Sequence, residues 1–417
     1  MIDSQDRRVI GLVAGSHFVN HAYIVMIAPF VSVLAARFEV SIAAIGLAIG
    51  VQNAVVLFLQ LPMGYLSDAY SRTFVLSVSL GVGTLGAALT ALSTSYAWLL
   101  GAQLVLGLGI AGHHPAHYPL LASVSTEANR GRAYSAHAFG GSVGFAAPYA
   151  VAAVATALGY SWRLAVGLVA LVGAGYAAYC LHSFRSVDDE ITRPALKERP
   201  DERPTIGDVP DRLRGGVRSL AASGGILALT TLAFLTSAAA WAIRTYTPRL
   251  LSAGYGLSDG TANALVSTML VVGAGSILLG GGLTDRVGTG PVVVGGYGVL
   301  VVVAALLATL ALPPAALATV LLFSGSISVS RPARSTLADH LSARADLGTN
   351  FAVVTIGISL GGVVAPPMFG YLIDTAGLAA SFALVAVLGL LSLGLGFRIV
   401  RAASLSTRGR TAGADGD

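Results

Sequence analysis

The sequence predicts an all-α polytopic membrane protein, with twelve transmembrane helices in two pseudo-symmetric six-helix bundles. Hydrophobic residues make up 55% of the 417 residues and charged residues 11%, whereas soluble domains carry roughly 25% charged residues. Apolar stretches of about 20 residues, enough to cross a hydrocarbon core of ~30 Å, recur along the whole chain. An internal repeat divides these stretches into two sets of six.

Each predicted span is an apolar stretch bounded by polar residues, glycine or proline. The first span is too long for the hydrophobic core of a signal peptide, so we expect it to be a retained spanning helix. The spans occupy approximately residues 9–36, 42–66, 74–94, 97–124, 132–158, 162–183, 221–252, 261–284, 291–310, 315–341, 347–373 and 379–400.

The basic residues predict the orientation of these spans. With the N-terminus inside, nineteen of the 25 Lys and Arg fall in cytoplasmic segments, three in external loops and three within spans. The positive-inside rule then places both termini in the cytoplasm and the protein in the inner or plasma membrane of the cell. The net charge of +5 does not indicate nucleic-acid binding, because the basic residues lie in alternate loops and form no basic helix.

One long polar segment, residues 184–218, separates the two sets of spans. It contains four prolines and eight acidic and eight basic residues, a composition typical of a linker. We therefore predict an N-terminal bundle at 1–183, a cytoplasmic linker at 184–218, a C-terminal bundle at 219–400 and a cytoplasmic tail at 401–417. Cys180 is the only cysteine, which excludes an internal disulfide and a cysteine-based metal site.

The two bundles repeat each other at an offset of 217 residues. Residues 114–117 read His-Pro-Ala-His and residues 331–334 read Arg-Pro-Ala-Arg. Residues 64–68, ending in Asp, likewise correspond to residues 281–285. Repeats with an even number of helices are parallel, and substrate sites in such proteins lie at the interface between the halves.

The segment between spans 2 and 3 resembles the signature loop of the major facilitator superfamily. It matches at Gly64, Leu66, Asp68 and Arg72, and it departs at Ala69, Ser71 and Thr73. The second bundle repeats part of the loop, and residues 130–133 are similar to the family's loop between helices 4 and 5. The resemblance covers residues 8–400. It implies a cytoplasmic gate, closed in the outward-facing state, formed by Gly64, Asp68, Arg72, Arg130, Asp285 and Arg286.

Within that superfamily, two stretches resemble the fosmidomycin-resistance-like efflux branch. They are the run from Gly109 through residues 114–115 to Gly141, and the segment Ser-His-Phe-Val-Asn-His at residues 16–21. The resemblance implies an efflux antiporter that works as a monomer. Gln103 stands where many members of the superfamily place an arginine.

Histidine is the main titratable residue within the spans. All twenty Asp and Glu fall in loops, tails or helix ends, whereas six of the eight histidines lie in spans 1, 4 and 5. Because histidine exchanges protons between pH 5 and 8, a proton-coupling role is reasonable. The candidates are His17, His21, His114 and His137, with His117 as a further one. The alternative is that these imidazoles only bond one another or nearby backbone. No carboxylate or thiol supports a metal site, and no cofactor is expected.

Three arginines within spans indicate an anionic cargo. A charge at mid-bilayer costs roughly 2.5–3.5 kcal/mol on insertion scales, and no carboxylate lies at that depth to offset it. Arg331 is the leading counter-charge for a substrate, with Arg334 and Arg244 assisting. The alternative for Arg334 is that it extends to the cytoplasmic surface or pairs with Asp339 or Asp346 as part of a gate. The alternative for Arg244 is that it extends outward to the membrane surface. Substrate-binding candidates are therefore Arg331, Arg334, Arg244, His114, His117, Asn20 and Trp241.

The sequence thus predicts a transporter that moves a small organic anion or drug-like solute by alternating access, with proton-coupled efflux. Its partners would be that solute, protons and the lipid bilayer. Two alternatives remain: an anion facilitator or exchanger without proton coupling, and a membrane sensor that does not transport. An enzyme is excluded, because no nucleophile, base and carboxylate can be assembled at one depth.

Overall fold

The computed structural model describes residues 4–126, 129–193, 224–331, 333–334, 337 and 347–414, with side chains except at 347–352 and 403–414. The first half contains α1 Ser4–Ile24, α2 Val31–Phe38, α3 Ile42–Ala69, α4 Arg72–Ala91, α5 Tyr96–Ala111, α6 His113–Ser123, α7 Arg130–Ala157, α8 Trp162–Phe184 and α9 Asp189–Thr192. The second contains α10 Gly224–Arg249, α11 Asp259–Val287, α12 Thr289–Ala308, α13 Pro314–Ser324 and α14 Leu347–Ala414.

The predicted all-helical membrane fold is confirmed. Within the described residues, ten helical stretches are long and apolar enough to cross a membrane, and Pro314–Val329 is a shorter apolar helix. The stretch Val353–Ala402 is 50 residues long. It is interrupted at Gly377, where φ is 87°, a conformation that glycine adopts without strain. Division at Gly377 gives two spans, and together the stretches account for the twelve predicted spans.

Three spans that we predicted as single helices are broken in the structure. The first is interrupted by the 3₁₀ turn Ala28–Phe30. Pro29 has no backbone N–H and so cannot donate the hydrogen bond that would continue the α-helix. The fourth is divided between α5 and α6 at Gly112. In the tenth, α13 passes into the 3₁₀ segment Gly325–Val329. The last two breaks are at matching places of the repeat, directly before His-Pro-Ala-His and Arg-Pro-Ala-Arg.

Serine side chains define the start of five helices. Each lies at the N-cap in an extended conformation, and its hydroxyl accepts a bond from the amide three residues later, which stabilises a helix by ~1 kcal/mol. These serines are Ser41, Ser71, Ser95, Ser161 and Ser258. The helix ends are therefore encoded locally, although the packing of the helices is not.

The two halves meet at one end of the molecule, which we call the distal end. The opposite, proximal end carries the start of α1, where Gln5 donates to Asp188 beyond α8. At the distal end, Arg249 donates to Ser32 across the halves at 2.9 Å. Ser267 of α11 donates to the carbonyl of Ala146 in α7 at 3.1 Å.

Close backbone approach between α3 and α14 closes the distal end further. A Cβ at Gly46 would lie 2.3 Å from the carbonyl oxygen of Pro366, and one at Gly50 would lie 2.7 Å from that of Val363. At the proximal end, Cβ atoms at Gly64, Gly281 and Gly282 would meet nothing within 4 Å. The described parts of the halves therefore pack at the distal end and diverge toward the proximal end.

The carboxylate of Asp374 in α14 joins the two halves at the distal end by accepting hydrogen bonds from the start of α3. Its two carboxylate oxygens accept from the amides of Ile42 and Ala43 at 3.1 and 2.8 Å, at the N-terminus of α3 in the other half. A carboxylate stabilises a helix N-terminus because the amides there lack partners and carry partial positive charge.

We expect Asp374→Ala to destabilise the distal contact by about 1–2 kcal/mol, because two amides lose a charged acceptor. Hydrogen exchange of the peptide that begins at Ile42 measures the effect and should become faster by roughly 10-fold. The control is Asp6→Ala, which removes a carboxylate from the first turn of α1 at the proximal end. Equal exchange in wild type and Asp374→Ala would contradict the assignment.

Candidate functional site

Five imidazoles from three helices of the first half are in contact, and we call them the histidine cluster: His17 and His21 of α1, His114 and His117 of α6, and His137 of α7. The Nε2 atoms of His17 and His21 are 2.9 Å apart, and the Nε2 atom of His114 is 3.3 Å from that of His17. The rings of His17 and His137 stack with centroids 3.8 Å apart. Spans 1, 4 and 5 therefore bring five of their six histidines together.

The backbone of α7 fixes the tautomers of the two α1 histidines. The Nδ1 atom of His17 is 2.8 Å from the carbonyl oxygen of His137, and that of His21 is 2.8 Å from the carbonyl oxygen of Gly141. Because a carbonyl only accepts, both Nδ1 atoms carry protons. When these rings are neutral, both Nε2 atoms present lone pairs, and the two lone pairs face each other.

Gly141 is the residue that allows this approach. A Cβ at this position would lie 2.4 Å from Cε1 of His17 and 2.7 Å from Nδ1 of His21. The absence of a side chain at Gly141 therefore allows both histidines to lie against α7.

A second hydrogen-bonded chain extends from the cluster. Ser16 Oγ lies 2.6 Å from Nε2 of His117, and Nδ1 of His117 lies 3.1 Å from Nε2 of His137. Ser16 Oγ also donates to the carbonyl oxygen of Val13 at 3.1 Å. The hydroxyl therefore accepts from His117 Nε2–H, and His117 Nδ1 accepts from His137 Nε2–H. His113 instead bonds Ser79 of α4.

Arg331 lies beside the cluster, although it belongs to the other half. It is exposed and interacts electrostatically with Arg244, Arg334 and Tyr118, and also with His21. Tyr118 stacks on His114 with centroids 5.6 Å apart. The matched positions of the repeat, 114 and 331, are thus brought to one region.

Arg244 points inward. The alternative from the sequence, that it extends outward to the membrane surface, is therefore not what the structure shows. Its guanidinium lies over the ring of Phe145 in the other half, 4.4 Å from the centroid. Phe145 also stacks on His21, 4.1 Å away. Attraction of a cation to an aromatic face explains this inward orientation. Phe145 was not among our predicted site residues, since a phenylalanine in an apolar span carries no distinguishing signal.

Arg334 is held within its own half. It donates to Thr236 Oγ1 of α10 at 2.7 Å and interacts with Tyr297. Asp339 and Asp346, its predicted alternative partners, lie outside the described residues.

Two further predicted residues are buried in the helix packing. Both polar atoms of the Asn20 side chain are buried and have no hydrogen-bond partner among the described residues. Trp241 is buried as well, and its Nε1 would lie 2.8 Å from a Cβ at Gly362, as would Oδ1 of Asn53. Asn20 is on the helix that carries His17 and His21, and it is fully buried.

The predicted gate residues are on the proximal side, where the halves diverge. Asp68, Arg130, Asp285 and Arg286 are exposed. Asp68 interacts electrostatically with Arg72, whose Nη1 donates to the carbonyl of Ile191 at 3.0 Å. Both of these contacts lie within the first half.

Comparison with known proteins identifies the family of this chain and solved structures with a similar fold. The profile of the Major Facilitator Superfamily matches residues 13–338 and, in a second match, residues 229–414. No curated protein matches the chain significantly. The fold is similar to that of a bacterial homologue of the human lysosomal transporter Spinster in its inward-facing, unoccupied conformation, with a TM-score of 0.75 and 16% identity over 96% of this chain and 98% of that one. The nucleoside transporter NupG gives a TM-score of 0.73 and 11% identity over 96% and 99%.

Proposed function

Because this chain belongs to the major facilitator superfamily, we propose that it is a secondary active transporter which exports a small organic anion or drug-like solute by alternating access. Membership of this superfamily identifies the chain as a multi-pass membrane transporter rather than an enzyme. The proposal places both termini in the cytoplasm of a cell whose inner or plasma membrane holds the protein as a monomer. The resemblance to the fosmidomycin-resistance-like branch supports the outward direction.

The main support for an anionic substrate is the grouping of three arginines near the point where the halves diverge. Arg331 interacts with Arg244 and Arg334, so three like charges lie in one region of a membrane protein. Placing charges of one sign together is unfavourable, and an anion reduces their repulsion. Arg331 would be the main counter-charge, with Arg244 and Arg334 assisting and His114, His117, Asn20 and Trp241 completing the site.

Alternating access is supported by the uneven contact between the halves. Packing at the distal end, with the proximal end open, is one of the two states that rocking bundles require. With the predicted orientation, this state faces the cytoplasm. Closing the proximal end would bring Asp68, Arg72 and Arg130 of the first half toward Asp285 and Arg286 of the second.

Proton coupling is the second part of the proposal. The histidine cluster supplies a continuous set of imidazoles close to Arg331, and imidazole is the side chain suited to proton exchange near neutral pH. In this proposal His17, His21, His114 and His137 exchange protons as the anion binds and leaves.

Counterflow in proteoliposomes tests both parts. Protein reconstituted with an internal anion should accumulate the same labelled anion from outside, and an imposed pH gradient should change the rate. If the rate of counterflow does not change with the pH gradient, the protein is an anion facilitator or exchanger without proton coupling. Absence of counterflow for every anion that binds would contradict transport and indicate a sensor.

A further inference from the structure

The pair His17 and His21 brings two ring nitrogens of the same kind into direct contact. Both Nδ1 protons are used by carbonyls of α7, so two nitrogen lone pairs face each other at 2.9 Å. Two facing lone pairs repel unless a cation lies between them. The cation is either a shared proton or a metal ion.

A third nitrogen distinguishes these two cations. One ring nitrogen from each of His17, His21 and His114 lies within 4.8 Å of the other two, and His114 Nε2 is 3.3 Å from His17 Nε2. A proton is shared by two nitrogens, whereas a metal ion binds three or more. Two nitrogens at ~2.0–2.1 Å from one zinc ion lie roughly 2.9 Å apart at a right angle and roughly 3.3 Å apart at the tetrahedral angle.

We propose that His17, His21 and His114 form a binding site for one divalent transition-metal ion. Imidazole suits zinc, copper, nickel and cobalt, whereas magnesium and calcium prefer oxygen ligands. The site goes beyond the proposed anion transport. A metal ion would compete with protons for the same three imidazoles, so absence of the metal would leave both the anion and the proton parts of that proposal standing.

The surroundings of the three rings have two features of a metal site. First, a metal-binding histidine generally donates its other ring N–H to a carbonyl or carboxylate, which fixes the ring, and His17 and His21 donate to carbonyls of His137 and Gly141. Second, His21 and His114 are only half-buried, whereas His17 is 5% exposed. The site is therefore open on one side, which leaves coordination positions for water or an anion.

Arg331 and Arg244 act against a bare cation, because both interact electrostatically with His21. An anion that coordinates the metal would also offset these two charges. The metal should therefore bind more tightly when an anion such as inorganic phosphate is present.

Cobalt titration of the full-length, detergent-purified protein without a polyhistidine tag tests the site. Bound Co²⁺ gives visible absorption bands whose intensity reports its geometry, and isothermal calorimetry with Zn²⁺ gives the stoichiometry. We expect one equivalent per chain in the wild type. His17→Gln and His21→Gln should each lower the metal affinity at least about 100-fold. Removing even a residue that only hydrogen-bonds to a metal ligand lowers metal affinity 10–100-fold.

The controls separate metal binding from folding. His182 is exposed on α8, outside the cluster, and His182→Gln should bind as the wild type does. Gly141→Ala keeps every histidine but forces His17 and His21 apart, so it too should lose the metal, while an unchanged gel-filtration profile shows that it folds. No binding by the wild type, which would leave a shared proton as the cation, overturns the proposal. Equal binding by all four variants overturns it as well.

Discussion

Arg331→Ala is expected to reduce transport of the anionic substrate about 10- to 150-fold at low substrate concentration. Hydrogen bonds to a charged group contribute ~1.5–3 kcal/mol, which sets this range. The loss should appear as a higher KM, because Arg331 binds the substrate in the proposed site. Initial rates of counterflow over a range of anion concentrations measure it.

Two variants define what the arginine contributes. Arg331→Lys keeps the charge but lacks the planar pair of donors, so we expect an intermediate loss. Arg398 is exposed on α14, and Arg398→Ala should transport as the wild type does. If Arg331→Ala kept the wild-type KM, Arg331 would not contact the substrate.

Gly46→Ala is expected to destabilise the distal closure by about 1–3 kcal/mol, the usual cost of adding a methyl group where there is no room. The new Cβ would lie 2.3 Å from the Pro366 carbonyl and 2.5 Å from the Tyr246 hydroxyl. Because each 1.4 kcal/mol changes a conformational equilibrium tenfold, the distal-closed state should lose roughly 10-fold or more in population.

Gly275→Ala is the matched control for Gly46→Ala. It also lies inside a long helix, but its Cβ would meet nothing within 4 Å. Both substitutions gain the higher helix propensity of alanine, ~1 kcal/mol, so the difference between them isolates the contact between the halves. Thermal unfolding and hydrogen exchange of the start of α3 measure this difference. Identical behaviour of the two variants would show that α3 and α14 do not meet at Gly46.

The spans and their duplication could be predicted because hydropathy and the repeat are properties of neighbouring residues. Serines at helix starts, and Gly112 before the His-Pro-Ala-His segment, act within a few positions of the chain. The histidines of spans 1, 4 and 5 could be identified as candidates because ionisable residues are rare within apolar spans.

Contacts between distant helices were not predictable in the same way. Nothing near Asp374 indicates that it caps Ile42, 332 positions away. The direction of Arg244 depends on Phe145, which lies in the other half. His113 and His114 are neighbours in sequence, yet α6 directs His114 rather than His113 toward His17. The facing lone pairs follow from carbonyls of a third helix, which no periodicity reveals.

The most direct test of an anion site at Arg331 is thermal unfolding of the wild type and Arg331→Ala against anionic, neutral and cationic compounds at two pH values. A ligand at about 100 times its dissociation constant stabilises the folded state by roughly 2.7 kcal/mol. The proposed function predicts that anions alone stabilise the wild type and that this effect disappears in Arg331→Ala. Equal stabilisation of both proteins by neutral or cationic compounds would contradict it and indicate a multidrug exporter in which Arg331 serves the gate.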